Sequence, residues 1–411
     1  MTFGRPGRGI PALGLALVIL AATPSVFSQT AEESGARMDI YGFAMLDMGY
    51  ENGQSDPDWF DVLRPTKLPH FEDQFGGDNH FFAGVRQSRF GVKTWNPTSK
   101  GEIKTIFEFE LFGVGADAGQ TTFRLRHAWG EFNHFGAGQT WSPFMDPDVF
   151  PNSIEYWGPP GMVFFRNVQA RWMPMMGDNE LMFALERPGA SGDPGVQSGT
   201  PGTALQGHFP LPDLSAHYRM KRDGGHVQIA GILRKMKWDD TDPAAPNLSG
   251  SATGWGVNLS SNLKFAEDTL RLQVAYGEGI ANYMNDATVD VGALAPGDPD
   301  VGEALPLIGV VAFYDRTWGP KFTSTFGYSM LSIDNSEGQT ADAFHKGQYV
   351  LANLLYYPVR NLMWGGEVQW GKRTNNDDGG LDPDGNLVES FDDWRIQFSA
   401  KYNFSHTLGG K

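Results

Sequence analysis

The sequence predicts an all-β fold, a transmembrane antiparallel β-barrel of about sixteen strands with an inward-folded third extracellular loop. Three observations carry this reading. Apolar and polar residues alternate with period two from one end of the chain to the other. The connections between these runs are long and short by turns, the habit of barrels with brief periplasmic turns and long outer loops. Past the N-terminal segment, no apolar run reaches the roughly 20 residues that a spanning helix needs.

Taken in order, the strands begin near Asp39, Gln87, Glu102, Phe123, Phe135, Val163, Glu180, Leu214, His226, Trp255, Thr269, Val310, Lys321, Gln348, Leu362 and Trp394. The last is the clearest. Trp394, Ile396, Phe398, Ala400, Tyr402 and Phe404 fall on one face, and Arg395, Gln397, Ser399, Lys401 and Asn403 on the other. Ile103, Thr105, Phe107, Phe109 and Leu111 against Glu102, Lys104, Glu108 and Glu110 repeat the pattern, as lipid outside and water inside demand. The longest apolar run lies near 307–314. Long connections fall at 51–80, 113–122, 142–162, 187–213, 239–253, 278–309, 331–346 and 374–393. Short ones fall at Asn96-Pro97-Thr98, Asn133-His134, 174–179, Asp223-Gly224-Gly225, Ala266-Glu267, Gly319-Pro320 and Val359-Arg360. Both termini then lie in the periplasm, and closure leaves no edge strand facing lipid. The barrel is expected over 38–404, with 142–162 as the constriction loop and 405–411 as a tail beyond the last strand.

Residues 1–28 read as a cleaved secretory signal. Arg5 and Arg8 precede an apolar run from Ile10 to Ala22, and Val26 and Ser28 suit cleavage before Gln29. Residues 29–37 then form a short periplasmic N-terminal segment. The chain has no cysteine, so an exported protein here does without disulfides. Together with 13% aromatic residues and 52 glycines, this points to the bacterial outer membrane, in contact with lipid and lipopolysaccharide.

The net charge of −16 is unevenly spread. Residues 51–80 carry seven acids and two bases, 286–303 five acids and no base, and 375–393 seven acids and no base. These three stretches, read as outer loops, account for the whole surplus, so the strand framework is near neutral and holds most of the Lys and Arg. Nine histidines are scattered without metal-ligand spacing. No nucleotide-binding or nucleophile-elbow motif occurs, so neither catalysis nor a cofactor is expected, and no nucleic-acid partner. The run NNDDGGLDPDGN lacks the register of a calcium loop and reads as a solvated acidic loop.

The basic residues are the informative ones. Arg89 and Lys93 alternate with Phe90 and Val92, which turns them inward; Arg124 and Arg126 share one face. Arg171 shares a face with Asn167 and Gln169, whereas Arg166 has the opposite parity. Arg219, Arg271, Arg373 and Arg395 also fall on lumen faces. Such arginines either pair with Glu108, Glu110, Glu131 and Glu367 to stiffen a polar interior, or attract carboxylates through bidentate donors that cannot be neutralised. The loop 142–162 is expected to set Asp146, Asp148 and Glu155 opposite Arg89, Arg124 and Arg126, giving a transverse field across an eyelet. His127 shares a face with Leu125 and Trp129, which would place it toward lipid and leaves open a hydrolase reading, though no serine partner is identifiable. A third reading is a closed structural or adhesive barrel whose acidic loops bind partners.

The segments DIYGFAMLDMGY, QSRFGVKT, GEIKTIFEFELFG, FRLRHAWGEF, FGAGQTWSPFMD, NLLYYPVRNLMWGGEVQWGKR and WRIQFSAKYNF resemble the DcaP-like trimeric porins of Gram-negative outer membranes. The resemblance covers most of the strand framework and little of the outer loops. It implies a sixteen-stranded homotrimer that admits small anionic, dicarboxylate-like solutes by passive diffusion. It also implies an anion-binding role for Arg89, Arg124, Arg126 and Arg171, with Arg166 beside them. The chain departs from the pattern in continuing as SHTLGGK past the terminal aromatic, and in having almost no N-terminal extension.

Overall fold

The computed structural model describes residues 35–197, 205–242, 247–298 and 300–410. The predicted signal at 1–28 and most of the 29–37 segment lie outside the described residues. Among the described residues the chain forms a closed antiparallel barrel of 16 strands. They are β1 (Arg37–Glu51), β2 (His80–Gly84 and Arg89–Thr98), β3 (Gly101–Phe112), β4 (Thr121–Phe132), β5 (Phe135–Trp141), β6 (Arg166–Met175), β7 (Asn179–Glu186) and β8 (Asp213–Arg222). The circuit continues through β9 (Gly225–Asp240), β10 (Gly250–Phe265), β11 (Asp268–Glu278), β12 (Pro306–Gly319), β13 (Phe322–Ile333), β14 (Phe344–Tyr356), β15 (Leu362–Asn375) and β16 (Asp392–Gly409). Each strand pairs with its neighbours in sequence, and β1 closes the circuit on β16 from Arg37↔Gly409 to Glu51↔Arg395.

Alternation builds this wall. On β16, Trp394, Ile396 and Phe398 are exposed toward lipid while Arg395, Gln397 and Ser399 are buried inside. The strand does not stop at Phe404. Ser405 to Gly409 pair with Tyr41 to Arg37, and Thr407 Oγ1 donates to Asp39 Oδ1 at 2.8 Å, so most of the expected tail is wall. Unpaired β1 backbone at that end supplies the template that extends it. Asn96, Pro97 and Thr98, expected as a turn, remain in β2 opposite Ile103, Glu102 and Gly101. Pro97 is tolerated because β1 ends its pairing with β2 at Trp95, so the missing N–H faces no neighbour.

Long connections gather at one end of the barrel, and among the described residues L1 (52–79), L3 (142–165) and L6 (279–298 and 300–305) enter it. Leu63 and Leu68 of L1, Phe144, Met145 and Met162 of L3, and Ile280 and Tyr283 of L6 share one buried apolar cluster. It packs on inward side chains that break the polar-lumen rule, among them Ile232 of β9, Val311 and Phe313 of β12, Leu331 of β13 and Leu351 of β14. Apolar side chains therefore seal much of the interior on the side of β9 and β11–β14.

Lumen amides hold the L3 backbone. Asn258 Nδ2 donates to the Phe144 carbonyl at 2.9 Å, Gln273 Nε2 to that of Gly161 at 3.0 Å, and Gln397 Nε2 to that of Ile154 at 3.0 Å. These side chains satisfy backbone groups that a buried loop would otherwise leave unpaired. Gly161 meets β12 so closely that a Cβ there would stand 2.6 Å from the Val310 nitrogen, which no larger residue permits.

Candidate functional site

Opposite the apolar side, β2–β6 carry the charged wall. Glu108 and Glu110 on β3 point inward, and four arginines converge on them. Arg126 donates from Nε to Glu108 and from Nη1 to Glu110, both at 2.6 Å. Arg89 reaches Glu110 at 3.2 Å, Arg124 approaches it at 3.6 Å, and Arg166 at 3.7 Å. Four guanidinium groups therefore face two carboxylates, a surplus of two positive charges. Arg89 and Arg124 keep 25% and 26% of their side chains exposed, against 6% for Arg126 and for Arg166. The first pair stays partly open to the lumen; of the second, Arg126 bonds both acids and Arg166 lies against Glu110 alone. Among the described residues, Arg89 Nε and Arg166 Nη1 are buried donors without a hydrogen-bond partner, although Arg89 Nε lies 3.8 Å from Glu108 Oε1.

Arg166 is lumenal despite its parity. It opens β6 where L3 returns to the wall, and its guanidinium lies 4.7 Å from the Trp141 ring. Lys93 points inward over the Tyr41 ring at 4.9 Å, and Tyr41 Oη donates to Glu108 Oε2 at 2.7 Å. Arg171 does not join the cluster. It donates to Gln169 and to the Trp141 carbonyl, and stacks 5.0 Å from Trp129.

A bulge decides the fate of His127. The β3–β4 register shifts between Glu108 and Phe109 and skips Arg126, so Arg126 and His127 both turn inward. His127 is buried, with Nδ1 3.0 Å from Thr140 Oγ1 and its ring edge-on to Trp141. It does not face lipid as simple alternation predicts.

The acids of L3 also depart from expectation. Asp146 is fully buried away from Arg89 and Arg124, and accepts from Arg219 Nη2 at 2.6 Å and Ser260 Oγ at 2.7 Å, with His226 Nε2 at 2.7 Å. Burial works against its ionisation, but the His226 and Arg219 contacts hold its carboxyl below the ordinary range. Asp148 meets Arg219 Nη1 at 2.8 Å. These two acids and His226 bring their ligand atoms within 4.8 Å of one another, yet Arg219 already occupies both carboxylates. Glu155 accepts from the backbone N–H groups of Leu63 at 3.3 Å, Trp157 at 3.0 Å and Gly158. Burial pushes it up to about 7, against the pull of those N–H groups. Arg219 of β8, His226 of β9 and backbone amides of L1 and L3 claim these acids, so among the described residues the L3 acids form no row facing Arg89 and Arg124.

Tyr156 is the L3 group that does face them. Its hydroxyl donates to Glu110 and accepts from Arg124 Nη1 at 3.1 Å, while its ring stacks on Phe112 with centroids 3.9 Å apart. Its sequence signal is the aromatic EYWG run inside a charged loop, which alternation and charge counting do not single out.

The profile of the DcaP outer membrane protein family matches residues 76–389. This chain belongs to that family. No curated protein sequence matches it. Among solved structures it is similar to the outer membrane channel DcaP of Acinetobacter baumannii, at 22% identity and a TM-score of 0.74 over 90% of this chain and 98% of that one. An anion-selective porin from Comamonas acidovorans aligns at 12% identity and a TM-score of 0.56 over 90% of this chain and 100% of that one. The trimer form of OmpT from a Vibrio cholerae protein folded in vitro aligns at 12% identity and 0.53, over 90% and 99%. At these identities the structural likeness shows the fold alone. Family and fold together make this DcaP-family chain an outer-membrane channel of the porin class.

Proposed function

We propose that the channel passes small anionic organic solutes, dicarboxylates among them, by passive diffusion along the β2–β6 wall. The observation that carries this is the surplus of two positive charges around Glu108 and Glu110, with Arg89 and Arg124 left partly open. A guanidinium offers paired donors to a carboxylate and keeps its charge at any physiological pH. Arg126 would act from behind by holding both acids, Arg166 would add its charge beside Glu110, and Lys93 would add a further cation on the same side. The apolar cluster on β9 and β11–β14 leaves solute this wall rather than the barrel axis. We further propose a homotrimer embedded in lipid and lipopolysaccharide, supported by the outward apolar faces and by the trimer form of the V. cholerae protein.

Reversal potentials in planar bilayers under a salt gradient test the reading. Wild type should prefer anions, and Arg89→Ala with Arg124→Ala should lose most of that preference and of succinate block. A cation-preferring wild type, or a double variant indistinguishable from it, would overturn the proposal.

A further inference from the structure

The arginine wall is tied to the outer end of the channel by a chain of contacts through three loops. Asp286 of L6 accepts from Arg64 Nε at 2.8 Å, from the Thr66 backbone N–H at 3.0 Å and from Thr66 Oγ1 at 2.5 Å. Arg64 lies between two indoles, 4.1 Å from the Trp59 ring and 4.0 Å from the Trp157 ring. Trp157 is itself fastened to L6, its Nε1 donating to the Asn285 carbonyl at 2.9 Å. The next residue in the chain is Tyr156, whose hydroxyl separates Arg124 from Glu110.

Resting on the channel reading above, we infer that Asp286 is a positioning residue for solute selection. It acts through Arg64 and Trp157 to hold Tyr156 against Glu110. With Tyr156 in place, Arg124 spends its donor on a neutral hydroxyl and stays 3.6 Å from Glu110, still open to solute. When the hydroxyl is withdrawn, nothing separates the two charges. Arg124 then closes on Glu110 and its positive charge is masked. The buried position of Asp286 and its three bonds to L1 are more than a solvated loop acid needs, and they make L6 part of the selectivity apparatus.

The sign of the effect separates this from a local charge effect. Removing a negative charge near the mouth should by itself strengthen anion preference; loss of the relay weakens it. Asp286→Ala, Asp286→Asn, Tyr156→Phe and the Asp286→Asn/Tyr156→Phe double variant should be compared by reversal potential and single-channel conductance in the full-length channel. Each single variant should lower the anion-to-cation permeability ratio by about twofold or more, and the double should fall no further than either single. A raised or unchanged ratio in Asp286→Asn, or effects that multiply in the double, would sink the relay. If Asp286→Ala fails to reach the heat-modifiable folded form, the isosteric Asp286→Asn decides alone. A wild type without anion preference would instead defeat the anion-selective reading, and the same cycle on conductance would still judge whether Asp286 and Tyr156 are coupled.

Discussion

At the scale of single residues, the four arginines around Glu110 have unequal tasks. Arg126 is buried and bonds both acids, so Arg126→Ala leaves two carboxylates with weaker compensation in a low-dielectric setting. It should cost about 3 kcal/mol of stability, read from urea unfolding in vesicles, while Arg89→Ala changes conductance and leaves stability within about 1 kcal/mol. Glu155 carries a pH dependence. Its folded value of about 7 lies above the ordinary 4.5, so its contribution to stability is present at low pH and is lost as pH rises through about 7. Unfolding midpoints of wild type and Glu155→Gln should therefore converge at low pH relative to their separation at about pH 8, with wild type the one that weakens; parallel curves would refute this. The inward arginines on β2 and β4 were readable from alternation. The inward turn of His127 was not, because parity counting runs straight through a bulge that only the β3–β4 pairing reveals. Nor could spacing say that Arg219 and the loop amides, rather than Arg89, would claim the L3 acids.

At the scale of elements, the strands were legible because a membrane wall forces opposite chemistry onto alternate residues. β12 is the exception that explains the interior. The run near 307–314 is apolar on both faces, since Ile308 looks to lipid while Leu307, Val311 and Phe313 meet the inserted loops. Continuous apolar character in a strand announces burial on both sides, and here it marked where the lumen is filled. The C-terminal end of β16 was misread because polar residues after Phe404 look like a tail, whereas β1 offers them five registered partners. Truncation after Phe404 should remove roughly five ladder hydrogen bonds at about 1 kcal/mol each. The shortened protein should still insert, but lose its heat-modifiable folded band at a clearly lower temperature than wild type. An unchanged transition would mean that the β1–β16 seam is held by the upper register alone.

At the scale of the whole molecule, charge and packing divide the barrel in different ways. The net charge of −16 belongs to the outer loops, while the wall behind L3 carries a local positive surplus. Composition alone would give this stretch of wall the wrong sign, and only the position of the acids along the chain separates the two. Packing then fills one side of the lumen, since L1, L3 and L6 seal the side of β9 and β11–β14 with apolar side chains. The absence of cysteine makes this division directly measurable. Single cysteines at Lys93 or Arg124 should react with a small anionic thiosulfonate and reduce the current as each pore is modified. Cysteines at Val311 or Leu331, which are 1% and 0% exposed, should react orders of magnitude more slowly and leave the current unchanged. Fast modification at Val311 would show that the loop cluster opens to water and that the conducting path is not confined to the basic wall.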